Sequence, residues 1–92
     1  MKTVFQNNKE CFVCKTIYAI HDHHIFYGTA NRKKSEKYGM KVWLCAEHHT
    51  GCQGVHFNKD FDMYLKQYAQ RYFEKHIGSR DDFRRLFGKS YL

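Results

Sequence analysis

Cys45, His48, His49 and His56 fall within twelve residues, in Leu44-Cys45-Ala46-Glu47-His48-His49 and then His56. All four are metal-ligating types, and one side chain can face only one site. Cys45 and His48 have the three-residue offset of a metal knuckle. Cys11-Phe12-Val13-Cys14 supplies a second pair at the same offset. Zinc takes four such ligands as a tetrahedron, and two knuckles close it. The set Cys11, Cys14, Cys45 and His48 therefore reads as a structural zinc site. Cys52 competes for the fourth position, but the spacing of His48 from Cys45 mirrors the first pair. A redox role for Cys11-x2-Cys14 would need a thioredoxin-like βαβ context, which the sequence lacks.

His49 and His56 are then left over, together with the run His21-Asp22-His23-His24. Neutral imidazole serves both as a metal ligand and, with an ordinary pKa near 6.5, as a general base. A metal held by two or three histidines keeps positions open for a phosphate. The surplus of histidine beyond one zinc tetrahedron thus predicts a second site, where chemistry is done.

Several elements must position these groups. Residues 16–27 are rich in β-formers and read as a strand. Strand side chains alternate, so His21 and His23 share one face while Asp22 and His24 share the other. Residues 28–31 read as a turn and 32–39 as a basic loop carrying Arg32, Lys33, Lys34 and Lys37. Residues 40–44 read as a second strand, hairpinned to the first. Gly51 and Gly54 interrupt a helix that would otherwise run on from residue 46. Asn58 or Asp60 caps a helix over 60–77, with Phe61, Leu65, Tyr68 and Tyr72 as its apolar stripe, widened by Tyr64, Ala69 and Phe73. That stripe reads as core rather than as a base-stacking surface. Gly78 suits the position after the helix. Ser79 and Asp82 resemble a capping box that opens a shorter helix ending at Gly88. Residues 1–10 read as a polar lead-in.

The 92 residues predict one domain, with a thin stability margin. No run of eighteen apolar residues predicts a membrane span, and residues 1–8 lack the apolar core of a signal peptide. The expectation is a cytoplasmic protein with no membrane partner. A reducing compartment favours metal ligation over disulfides. The net charge is +7, and the excess of Lys and Arg is five over residues 1–59 but two over 60–92. The positive field sits on the half that holds the Cys and His, which suits a nucleic-acid phosphate backbone.

Cys11-x2-Cys14, then His23-His24-Ile25, then Leu44-Cys45-x2-His48-His49 with a later His56 resembles the HNH nucleases, over roughly residues 11–58. The form is most similar to the small phage-type and Ref-like recombination nucleases. His48 stands where the last knuckle cysteine of that family usually stands. The resemblance implies an α+β fold: a small zinc-stabilised ββα-metal domain, with residues 60–92 as a helical extension outside the motif. It implies a metal-dependent DNA endonuclease, phage or prophage encoded, with DNA as partner and phage recombination or packaging proteins as further candidates. By the same resemblance, His23 binds a catalytic divalent metal (Mg²⁺, Mn²⁺, Ni²⁺ or Zn²⁺) and His24 is the general base. His49 and His56 correspond to the remaining ligands. Met40 stands where the family has its middle Asn, and Asn31 is the candidate replacement. Cutting both strands of a duplex would call for a homodimer, for which the tail is the available surface. The alternative is a zinc-stabilised DNA-binding module without catalysis, which leaves four histidines without a task. A small protein-interaction domain accounts for the aromatic tail and little else.

Overall fold

A computed structural model describes residues 3–51 and 54–92, so Cys52 lies outside the described residues. Two antiparallel strands, β1 (Ile20–His24) and β2 (Lys41–Cys45), form the sheet. His21 lies opposite Leu44, His23 opposite Val42 and His24 opposite Lys41. A helix, α1 (Thr29–Tyr38), connects the strands. The short α2 (Ala46–His49) leaves β2 directly, and α3 (Lys59–His76) and α4 (Arg80–Phe87) complete the chain. The molecule is thus a small α+β fold. Among the described residues no helix is long and apolar enough to cross a membrane.

The strand expected over 16–27 is five residues long. Lys15 and Ala19 hold positive φ angles of 65° and 53°, which break an extended backbone before Ile20. Ile17 and Tyr18 are left exposed, because five-residue β2 offers them no partner. At the other end the Ser35 hydroxyl receives the Phe26 N–H at 3.1 Å and donates to the Phe26 carbonyl at 2.7 Å, ending the ladder.

The turn at 28–31 and the basic loop at 32–39 are together one helix. Gly28 precedes it, and Gly39, in the left-handed region at φ 71°, ends it as a glycine C-cap should. Only Ser35 of this helix is buried. Its docking is polar instead: Asn31 donates to the Phe87 carbonyl at 3.3 Å, and the Lys34 ammonium donates to the Leu86 carbonyl.

The lead-in is also ordered against β2. Val4 N–H donates to the Gly39 carbonyl at 3.1 Å, Trp43 N–H to the Gln6 side-chain oxygen at 2.7 Å, and the Thr3 hydroxyl to the Lys41 carbonyl. Phe5 packs edge-on against Tyr68 and Tyr72. These contacts cover a sheet edge that would otherwise expose unpaired backbone groups.

The two C-terminal helices follow their capping chemistry. The Asn58 side chain accepts the Phe61 N–H at 3.0 Å. Ser79 and Asp82 form a reciprocal capping box, and Gly88 ends α4 at φ 92°. The buried stripe of α3 centres on Leu65, Ala69 and Phe73, while Tyr64 and Tyr68 fall on its exposed rim.

Candidate metal centre

The backbone around the first knuckle is a closed turn. Cys11 N–H donates to the Thr16 carbonyl at 2.9 Å and Lys15 N–H to the Cys11 carbonyl at 3.0 Å. Phe12 N–H reaches the Trp43 carbonyl at 2.8 Å, which ties this turn to β2. At the far end of β2, Cys45 is the N-cap of α2, and His48 lies three residues on, on the same side of the turn. One ligand atom from each of Cys11, Cys14, Cys45 and His48 lies within 4.8 Å of the others. The spacing suits one metal ion. A tetrahedral zinc with its usual bond lengths has S···S edges of about 3.8 Å and S···N edges of about 3.6 Å. The Cys14 and Cys45 sulfurs are 3.8 Å apart. His48 Nδ1 is 3.6 Å from Cys11 Sγ and 3.2 Å from Cys45 Sγ.

The electrostatics of the knuckle favour a ligand set. Burial pushes the Cys11 thiol up, but the backbone N–H groups of Cys14, Cys45 and Val13 outweigh it and bring it to about 6. Cys11 is therefore thiolate-ready at neutral pH, as metal binding requires. The Thr16 backbone draws the Cys14 thiol down, and burial with the neighbouring sulfurs more than reverses this, leaving it raised.

A second cluster gathers His23 of β1, His49 of α2 and His56 of the segment before α3. One nitrogen of each lies within 4.8 Å of the others. His49 Nε2 is 3.2 Å from His56 Nε2, and His49 Nδ1 is 2.9 Å from His21 Nδ1. His23 is almost fully buried, and its Nε2 has no hydrogen-bond partner. A buried polar atom without a partner is costly, and a metal ion is one of the few things that satisfies an imidazole nitrogen there. Burial first, then the imidazoles of His49, His56 and His24 and the Lys66 ammonium, push His23 down to about 3. Burial, His56 and His21 likewise lower His49, against a smaller upward pull from Asp22. Both are kept neutral, the form that ligates. His21, which sequence reasoning places in no role, lies against the ring of His49 with its Nδ1 2.9 Å away, where the outer partner of a ligating histidine would sit.

His24 points to the other face of β1. Its Nε2 is 3.0 Å from Glu36 Oε1 of α1. Lys41 is fully buried beneath the pair, with its Nζ 3.2 Å from Glu36 Oε2 and 3.3 Å from Asp22 Oδ2. The His24 contact chiefly lowers the Glu36 carboxyl; burial opposes it and Lys41 reinforces it. The sequence does not reveal Glu36 and Lys41, because a basic loop gives no reason to turn Glu36 toward the strand.

A cleft of about 240 Å³ is lined by Asp22, His23, His24, Tyr27, Arg32, His49 and His56. A broader cleft of about 770 Å³ shares His24, Tyr27 and Arg32 and adds Gly28, Thr29, Lys33 and Glu36. Of the four basic residues expected to meet phosphate, Arg32 and Lys33 line these clefts. Lys34 does not, since its ammonium clasps the end of α4, and Lys37 stacks over Tyr38 instead. Asn31, the candidate for the middle Asn, bonds the tail at Phe87, and Met40 is buried core whose carbonyl accepts the Ile25 N–H. No protein-family model, curated protein or solved structure matches the chain.

Proposed function

We propose that the chain is a metal-dependent DNA endonuclease of the HNH type, built on a zinc-stabilised ββα-metal core. One observation carries the reading. His23, His49 and His56 converge with a buried, unpartnered nitrogen among them, and His24, on the opposite strand face, lines the same cleft. That is a ligand set beside a base. On this reading β1, β2 and the helix that follows form the core, with α1 inserted between the strands. Cys11, Cys14, Cys45 and His48 hold the structural zinc, and zinc ties the lead-in turn to the start of α2.

A divalent metal held by His23, His49 and His56 would compensate charge on the phosphoryl oxygens. The chain's own residues do the rest. His24 takes a proton from water as the water oxygen bonds to phosphorus, and the bond from phosphorus to the leaving oxygen breaks, that oxygen taking up a proton from a solvent water as it departs. Arg32 and Lys33 hold neighbouring phosphates, so the backbone rather than the bases is read. A histidine-rich set binds later transition metals more tightly than Mg²⁺, while availability decides which is used. A single site makes one nick at a time, so concerted cutting of both strands of a duplex would call for two copies.

The test is plasmid nicking with Mg²⁺, Mn²⁺, Ni²⁺ and Zn²⁺ in turn. His24→Ala should keep its metal affinity and lose about 10²–10⁴ in turnover. His23→Ala should lose metal affinity as well. Reversal of those two signatures reverses the roles. Full nicking by both variants rules out an HNH-type site, and DNA binding without nicking under every metal selects the non-catalytic module.

A further inference from the structure

We propose that Glu36 is the positioning residue of His24: its carboxylate holds the imidazole in one tautomer and one orientation, and Lys41 holds the carboxylate. The proposal rests on the nuclease reading and deepens it, by specifying which nitrogen does the work.

A carboxylate can only accept. With Glu36 Oε1 at 3.0 Å, the neutral His24 ring must carry its proton on Nε2. Nδ1 is then the bare nitrogen, and the ring borders both clefts. A free histidine samples both tautomers and several rotamers. Held this way, it presents one basic nitrogen in one place.

The carboxylate is itself fixed. Its second oxygen lies 3.2 Å from Lys41 Nζ, and Lys41 is fully buried directly opposite His24 in the strand register. Swinging Glu36 away would leave the buried ammonium with Asp22 as its one carboxylate partner. Asp22, His24 and Glu36 also bring ligand atoms within 4.8 Å of one another. Here, however, the cation against both carboxylates is Lys41, supplied by the chain itself. Two carboxylates and one ammonium leave a single negative charge beside His24.

The experiment compares parent, Glu36→Gln and His24→Ala as full-length, zinc-loaded protein, with Mn²⁺ and plasmid DNA. Nitrogen-15 histidine spectra are recorded on the same proteins without Mn²⁺, and the His24 signals are assigned by their loss in His24→Ala. The parent should show His24 as the Nε2–H tautomer. Glu36→Gln should mix the tautomers and lower kcat by about 10–100-fold, the usual effect of losing an outer carboxylate partner, with KM for DNA and Mn²⁺ affinity unchanged. A merely structural role would move all of these together. If His24→Ala abolishes nicking while Glu36→Gln nicks at the parental rate, the positioning role is overturned and the nuclease reading stands. An Nδ1–H tautomer in the parent overturns the proposal even if Glu36→Gln fails to fold. A parent that nicks with no metal overturns both.

Discussion

His48 and His49 are adjacent, and the helical turn of α2 sets them about 100° apart, so one faces the cysteines and the other the histidines. His23 and His24 are separated in the same way by strand alternation, one toward His49 and the other toward Glu36. Residue type and local spacing suffice to group Cys11, Cys14, Cys45 and His48, because a knuckle and a helical turn fix side-chain direction over a few residues; the grouping of His23 with His49 and His56 comes from the family resemblance, and the fold brings those three together. What burial does to those groups is a separate matter, and His23 makes it measurable. Its folded pKa is about 3 against an ordinary 6.5. Between those values the unfolded chain takes up a proton that the folded chain refuses. Acid therefore favours unfolding: this contribution is intact above about pH 6.5, is lost as pH falls toward 3, and is constant below that. Each pH unit in the window is worth up to about 1.4 kcal/mol. Urea unfolding of protein free of the second metal, at pH 7 and at pH 5, should show a larger acid loss for the parent than for His23→Phe. Acid release of zinc from the knuckles is common to both, so the difference isolates His23. Equal losses would mean that His23 is solvated in the folded state.

At the scale of elements, α1 decides which cations line the clefts, and so which would meet DNA on the proposed reading. Its residues are good helix formers, but they show no apolar period, since the helix docks through Asn31, Lys34, Ser35 and Glu36. Reading a helix from sequence relies on the apolar stripe, which marks α3 and α4 and leaves this helix unmarked. The partners of His24 are hidden with it, and so is the division of labour among the basic residues. Arg32 and Lys33 are exposed at the clefts, whereas Lys34 is half-buried against α4. Affinity for DNA falls with salt in proportion to the phosphates neutralised. Arg32→Glu with Lys33→Glu should therefore flatten the dependence of log K on log salt, by about one unit for each phosphate left without its cation. Lys34→Ala should leave that slope unchanged and lower the unfolding midpoint instead. Salt titrations by fluorescence anisotropy on a short duplex measure the first, and thermal melts the second. A slope altered by Lys34→Ala but not by the double reversal would move the footprint to the side of the helix that faces α4.

At the scale of the molecule, the C-terminal helices are joined to the site by packing. Ile25 and Phe26 directly follow His24, and both are buried. The Phe26 ring lies 5.2 Å from Phe83, 4.6 Å from Phe87 and 5.5 Å from Tyr91, and Phe73 of α3 closes the group at 5.3 Å from Phe83. On the motif alone residues 60–92 are an appendage; in the fold they form the floor under the end of β1. From α3, Asp62 accepts the Tyr27 hydroxyl at 3.1 Å and Lys66 stacks over the Tyr27 ring, so the rim of the cleft is held from the same side. Phe83 is fully buried, and replacing such a ring by Ala costs about 3–5 kcal/mol. Small domains have only about 5–15 kcal/mol in total. Phe83→Ala should thus consume a large part of the stability while touching no histidine. Its local effect follows from the route: loss of the Phe83 ring leaves Phe26 unsupported, and Phe26 anchors the strand end that carries His23 and His24. The variant should melt at markedly lower temperature. Below its melting point it should bind the second metal more weakly than the parent, while the cysteine knuckles, which hang from the other end of the sheet, retain zinc. Isothermal titration with Mn²⁺ and a zinc assay on the folded variant distinguish the two centres. Parental Mn²⁺ affinity in a variant destabilised by that amount would show that the histidine cluster is held by the sheet and knuckles alone.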